Sequence, residues 1–455
     1  MNKLKTKSLY SLVAIFLIII ACVWHDVNTH RYRSPERVIQ HDVISYYSYL
    51  PAIFIEKDYT MSFVETDKKY QQYYWPIEAP NGSLVVKMSM GLSMMYAPFF
   101  FLAHLAAEPL GYEANGFTIP YAVALMLGTL VYLMLGYLFL RKVLLKYFPD
   151  WVVAVTLIII GTGTNLFWYS TQEATMSHAY SFSLFCIFLY LTERWYKKPQ
   201  WHISTFLGLT FGLISLIRPT NGLIILMFLL FNITGWKDIL PRLRLFLANY
   251  SRIILIILCA FIVWLPQLLY WHSLTGDWLY YSYANNEPFF FNDPKIWKVM
   301  FSFRNGWLLY TPVMIFSVIG IGLLYKMNKK YFFSILIFFI ANLYVISSWW
   351  AWWYGGAFGM RPVIESYAIL SIPLAAFLLW TSKRKLAAKV PLYILVVAFY
   401  CQSVFHNIQY YYGSIHYGEM TKEAYCDSFW HIRPSEKFHS LLKDNDSEAA
   451  KRGER

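Results

Sequence analysis

Charge is what this chain most lacks. Only 14% of its 455 residues are Asp, Glu, Lys or Arg, against roughly 25% in an ordinary soluble domain. That deficit excludes a water-soluble globular fold. A cysteine framework is missing too. Cys22, Cys186, Cys259 and Cys401 fall within or at the ends of apolar stretches, and Cys426 stands alone, so their spacing builds neither disulfide pairs nor a thiolate metal site. No repeat of fixed period occurs, which excludes solenoids. The formal net charge of +13 requires no nucleic acid, because anionic inner-leaflet lipid attracts the same basic clusters.

Apolar sequence is what the chain has in excess: 58% of it is hydrophobic and 20% aromatic. Stretches of roughly spanning length lie at 8–24, 119–140, 152–168, 179–192, 203–217, 219–234, 253–271, 309–325, 331–348, 363–380 and 390–407. A helix needs about 20 mostly apolar residues to cross the hydrocarbon, so the pattern predicts an all-α polytopic membrane protein with about eleven transmembrane helices. The connections alternate in character. Met1–Lys7, Arg141–Lys146, Arg194–Lys198, Lys237–Arg252, Lys326–Lys330 and Lys383–Lys389 hold about half of the 39 basic residues, which puts them and the N-terminus in the cytoplasm. Trp24, His25 and Asp26 directly follow the first apolar run where a leader would show small residues, so this run is expected to stay as a first helix. Residues 88–107 are apolar enough to span but would invert every later basic loop. They are therefore expected to lie in the interface or re-enter, inside one large outer loop over 25–118 that carries amphipathic helices. The membrane domain then covers 1–407. Residues 408–455 form a polar, non-cytoplasmic tail whose end, "KDNDSEAAKRGER", is expected to be disordered.

Conspicuous polar residues gather in the outer connections, where charge near lipid is either solvated or functional. The first connection carries Asp42 and Lys87, the second Glu173 and His178, the third Arg218 in "LIRPTNGL", and the fifth Arg361 and Glu365 after "SSWWAWWYGGAFGM". The fourth is long and aromatic. As a helix, "HDVISYYSYLPA" places Asp42, Ser45, Tyr46 and Tyr49 on one face and Val43, Tyr47 and Leu50 on the other, and Pro51 should bend or end it near Leu50. An amphipathic segment lying flat on the membrane would follow. Competing structural readings stand beside the functional ones. Lys87 can snorkel from an interfacial helix, Arg218 can pin a turn at the headgroups, and Trp349, Trp350, Trp352 and Trp353 can belong to an aromatic belt or stack on a sugar. Glu173 and His178 lie five apart, a poor spacing for a metal site on a helix, and His104 with Glu108 reads as a helix-surface pair.

The loop order and these motifs resemble the GT-C superfamily of polyprenyl-phosphate-dependent glycosyltransferases, which includes protein O-mannosyltransferases and the aminoarabinose transferase acting on lipid A. "DVISYY" is similar to the family's first-loop Asp with its nearby tyrosines, "VVKMSMGLSMMYAPFFFLAHL" to its Lys before an amphipathic helix, "LIRPTNG" to its Arg-Pro turn, and "WWYGGAFGMR" to its Trp-Gly-Gly…Arg loop. The likeness covers most of residues 1–380. It implies the GT-C fold and an integral-membrane glycosyltransferase (hexosyl or pentosyl) in a bacterial inner membrane, with its site on the periplasmic face. The implied donor is a polyprenyl-phosphate sugar and the implied acceptor a lipid, glycan or protein. Asp42 would be the base, Lys87, Arg218 and Arg361 would bind the donor phosphate, and Tyr46, Tyr47, Glu173, His178 and Glu365 would contact substrate. Position 43 carries Val where the family often has Glu. That removes half of a carboxylate pair and leaves a divalent metal open. A transporter or flippase of a lipid-linked glycan is the alternative from another class.

Overall fold

The computed structural model describes residues 9–283 and 287–455; the basic Met1–Lys7 segment lies outside them. Among the described residues the chain is almost wholly helical, with one two-stranded antiparallel ribbon pairing Pro76–Glu78 with Leu84–Val86. Each of the eleven apolar stretches is helical over much of its length. Among the described residues, six helices are long and apolar enough to cross a membrane: Tyr10–Asn28, Ile119–Leu144, Tyr250–Thr275, Lys329–Ser348, Arg361–Ser382 and Leu386–Tyr412. Asp150–Thr162, Trp201–Ile217, Pro219–Leu229 and Pro312–Met327 are apolar but shorter. The stretch at 219–234 is the clearest departure from expectation. It forms a 3-10 turn, Pro219–Ile224, and one short α-helix, Ile225–Leu229.

Glycines set the closest helix crossings. Trp201–Ile217 packs along Tyr250–Thr275 because Gly208 and Gly212 let the backbones approach. A Cβ on Gly208 would lie 2.8 Å from Cys259 Cβ, and one on Gly212 would lie 2.9 Å from the Ala260 carbonyl oxygen. This is the small-xxx-small logic of apolar helix pairs. Arg361–Ser382 is the most enclosed of the long helices and forms the axis of the bundle, with Pro312–Met327 along one side. The first helix is fixed at one end through Asp150, whose carboxylate accepts from Tyr10 N at 2.7 Å and from the Ser11 hydroxyl.

The opening segment departs from the amphipathic surface helix expected of it. Residues 43–52 are all buried, so both faces are covered. Gly91–Ala107 lies beneath, with the Ser93 hydroxyl donating to Tyr46 O. The Tyr49 hydroxyl donates to Met88 O at 2.8 Å. The helix breaks at Ser48, between Asp42–Tyr47 and Tyr49–Phe54, one turn ahead of Pro51. A proline ring opposes the carbonyl four residues back, here that of Tyr47, and offers it no N–H. Gly91–Ala107 itself buries Leu92, Tyr96 and Phe100 and exposes Leu102 and Leu105, as a helix with lipid on one side would.

The tail is not disordered. Lys422–Ser428 and Ser447–Lys451 are helical, and Ile415, Met420, Tyr425 and Phe438 share an apolar cluster with Tyr310 and Phe358. Arg455 donates to Trp349 O at 2.7 Å and Ser348 O at 3.2 Å. The tail therefore packs onto the connections that carry the candidate site.

Replacing Gly208 by Val should overpack the crossing, at about 1–3 kcal/mol for an overfilled contact, and lower the thermal midpoint in detergent. Gly322→Ala, where a Cβ meets nothing within 4 Å, should leave the midpoint unchanged or higher. Equal midpoints for the two variants would contradict the packing described.

Candidate active site

Four chain segments converge on a cavity of about 530 Å³ lined by Arg31, His41, Asp42, Glu173, Gly355, Gly356, Arg361 and Tyr410, among others. Asp42 opens the short helix Asp42–Tyr47, and the residue before it, His41, is held at φ 51° and ψ −132°. This conformation disfavours a side chain and is tolerated only where surrounding contacts enforce it. On the opposite wall the Trp-rich loop turns through the left-handed region at Tyr354 (φ 47°), Gly356 (φ 69°) and Gly359 (φ 59°). At Gly359 the positive φ, more than space, favours glycine, since a Cβ there would make ordinary contact with Tyr310 Cβ at 3.4 Å. These turns deliver Arg361 to the cavity.

Asp42 and Arg361 face each other across it, with Oδ2 and Nη1 3.4 Å apart. The Arg361 Nε is buried and has no hydrogen-bond partner among the described residues. Glu173 accepts from Trp168 Nε1 at 3.1 Å. Burial pushes its carboxyl above the usual range, while Trp168, Arg361 and Arg31 pull it back only in part. Arg31 is 5% exposed and donates to Gln172 Oε1 at 3.3 Å and to Arg37 O. Burial brings its guanidinium down to about 10, so it keeps its charge at neutral pH. Two cations and two carboxylates thus share one half-open space.

A second charged layer lies behind the first. Glu365 Oε1 is 2.9 Å from His178 Nδ1 and accepts from Arg218 Nη1 at 3.5 Å; Glu365 and His178 are each 1% exposed. Tyr46 is buried between the layers, within electrostatic reach of Arg218, Asp42 and Arg361 and hydrogen-bonded to Ser177, and burial raises its hydroxyl pKa. Of the residues singled out from sequence, the fold brings together Asp42, Glu173 and Arg361 in the cavity and Tyr46, Arg218, Glu365 and His178 behind it. Lys87 stands to one side. It pairs with Glu287 at 2.7 Å and lies over the Tyr283 ring at 4.9 Å, and that tyrosine is in turn within reach of Tyr46, Arg218 and Asp42. Tyr47 is not in the site. Its hydroxyl donates to Gly116 O at 2.5 Å and its ring packs on Phe100 and Phe117.

Trp352 and Trp353 are buried against each other. His104 partners the Tyr121 hydroxyl at 2.6 Å. Sequence reading passed over Arg31, which stands in "HRYRSPER" among other arginines that nothing in the pattern separates from it. No group of three or more His, Cys, Asp and Glu that could hold a metal ion occurs among the described residues. Each cavity carboxylate already faces a guanidinium or an indole N–H, so the donor set does not fit a divalent ion. No family model and no curated protein matches the sequence.

Because burial raises its folded pKa, Glu173 costs no stability below its unfolded pKa, where it is protonated in both states. A penalty grows as pH rises from there through the folded value. Thermal midpoints of wild type and Glu173→Gln measured from mildly acid to mildly alkaline pH should therefore diverge in favour of Gln as pH rises. A gap independent of pH would contradict the burial of this carboxylate.

Proposed function

We propose that this protein is an integral-membrane inverting glycosyltransferase of GT-C type, moving a sugar from a polyprenyl-phosphate donor to an envelope acceptor. In this reading about eleven helices cross a bacterial inner membrane, the N-terminus is cytoplasmic, and the cavity opens on the periplasmic face. The observation that carries the reading is the facing of Asp42 by Arg361 in a cavity that also holds Arg31 and Glu173.

The chemistry follows from that pairing. The phosphodiester monoanion of the donor, entering the cavity, offers Arg361 and Arg31 two oxygen acceptors and displaces Asp42 as the partner of Arg361. The freed carboxylate then accepts the proton of the acceptor hydroxyl as its oxygen attacks the anomeric carbon. The bond from that carbon to the phosphate oxygen breaks, and its electron pair stays on the phosphate. The guanidiniums stabilise this growing charge more in the transition state than in the ground state. One base and one displacement give inversion, by analogy with single-displacement glycosidases. Glu365 orients Arg218 and His178 behind the reacting atoms, and Lys87 and Tyr283 flank the path by which a donor would enter.

A transporter or flippase would need a polar route between the two membrane faces. Ser177–Lys197, which starts beside the cavity, buries Phe182, Phe185, Phe188 and Leu189 together with Ser181, Ser183 and Thr192, so it is the Asp42–Arg361 pair, and not this helix, on which the enzyme reading rests.

Asp42→Asn should fold with an unchanged thermal midpoint and lose transfer by about 10²–10⁴-fold, measured as sugar leaving a labelled polyprenyl-phosphate donor in reconstituted vesicles. Arg361→Lys should retain more activity than Arg361→Ala. Transfer at the wild-type rate by a well-folded Asp42→Asn would remove the base and the mechanism with it.

A further inference from the structure

A second cavity, of about 700 Å³, lies at the other end of the molecule. Lys146, Lys197, Arg242 and Lys330 line it together with Glu193 and Asp238. Ser177–Lys197 has 21 residues and so spans about 30 Å at 1.5 Å per residue, the thickness of a hydrocarbon core. Its first residues adjoin the Asp42 cavity through Thr175 and Met176, and its last ones line this second cavity.

Both carboxylates here are already satisfied. Glu193 accepts from the Tyr147 hydroxyl at 2.8 Å, the Tyr331 hydroxyl at 2.6 Å and Lys146. Asp238 accepts from Thr234 N at 2.7 Å and its hydroxyl at 2.8 Å. Arg242 forms a fixed wall, donating to Tyr196 Oη at 2.7 Å and Leu229 O at 2.6 Å. Lys197 and Lys330 are exposed and form no ion pair among the described residues. Asn232, at φ 60°, donates its N–H to Lys330 O at 2.9 Å, which fixes the segment carrying that lysine.

The helix Ile239–Ala248 sets the depth of this cavity. Arg242, Leu245 and Phe246 face the protein, with Phe246 stacked on Phe228 at 5.7 Å. Ile239, Leu240, Leu243 and Leu247 are exposed on the other side. The chain then runs directly into Tyr250–Thr275, whose Tyr250, Ile254, Ile257 and Leu258 continue the exposed apolar surface. A short helix with one apolar face on protein and another open, leading into a spanning helix, is an interfacial helix. The cavity it borders therefore lies at headgroup depth.

We propose that this cavity binds the phosphate-bearing headgroup of an anionic membrane phospholipid, on the face opposite the Asp42 cavity. The inference rests on the second cavity and its interfacial helix, and stands independently of the glycosyltransferase reading. The phosphate meets Lys197 and Lys330, and Arg242 backs them.

The test uses the full chain in detergent, with native mass spectrometry of retained phosphatidylglycerol and phosphatidylcholine offered at equal concentration. Wild type should retain phosphatidylglycerol preferentially. Lys197→Gln with Lys330→Gln should reduce that retention about tenfold or more at an unchanged thermal midpoint. Lys383→Gln with Lys385→Gln, exposed but outside the cavity, should not reduce it. Millimolar inorganic phosphate should leave the bound lipid in place. Equal retention of the two lipids, undiminished retention in the cavity variant, or an equal loss in the control variant would overturn the proposal. Full displacement by inorganic phosphate would also overturn it, by making the ligand a soluble anion.

Discussion

One buried carboxylate holds the charged end of the helical bundle together. Glu365 is shared by His178 and Arg218, so it ties the turn after the Trp-rich loop to the start of one helix and the end of another. A guanidinium placed at the end of an apolar bundle needs a paired, hydrogen-bonded counter-ion, because an uncompensated buried charge is strongly destabilising. With Arg218 neutralised from behind, the cavity in front is free to carry charges of its own. Asp42 and Arg361 occupy it with side chains 37% and 17% exposed, against 1% for Glu365 and His178, and Arg31 is buried beside them.

That division gives the cavity its chemical character. The rear layer is closed and orients its neighbours. The front layer holds one ion pair, Asp42–Arg361, with Arg31 and Glu173 beside it, and it is into this pair that the proposed anion would exchange. Arg361 is the pivot: it is delivered by left-handed turns at Tyr354, Gly356 and Gly359, faces Asp42, and keeps a buried Nε without a partner among the described residues. The strained His41 on the other wall fixes where Asp42 points. Strain on both walls of one cavity is what a preorganised site requires, since each conformation is held only by the packing around it. The tail contributes as well, with Tyr410 and Tyr417 in the cavity wall and Arg455 bound to the carbonyls at the head of the Trp-rich loop.

The helical bundle was legible in the sequence because hydropathy runs are local. Each of the eleven stretches is helical over much of its length, and Asp42, Glu173 and Arg361, which line one cavity, stand out in the sequence as isolated charges in the connections between apolar runs. What was illegible depends on contacts between remote segments. Val43, Tyr47 and Leu50 read as one face of a surface helix, yet Gly91–Ala107 and the loop at Gly116 cover that face. Tyr47 became a packing residue for the same reason. The stretch at 219–234 read as one continuous helix, because apolar content does not reveal that Pro219 starts a 3-10 turn. The tail's polar composition concealed the apolar anchors Ile415, Met420 and Phe438, which find their partners only on Tyr310 and Phe358. Arg31 is distinguished from its neighbouring arginines only by the fold that buries it.

The central claim is that an anion exchanges into the Asp42–Arg361 pair and releases the carboxylate for chemistry. A cryo-electron microscopy map of the full chain with polyprenyl phosphate bound tests it most directly. The account predicts phosphate oxygens within hydrogen-bonding distance of Arg361 and Arg31, with Asp42 released from the guanidinium that it faces at 3.4 Å in the free protein. A phosphate bound elsewhere, or one bound beside an intact Asp42–Arg361 pair, would contradict it.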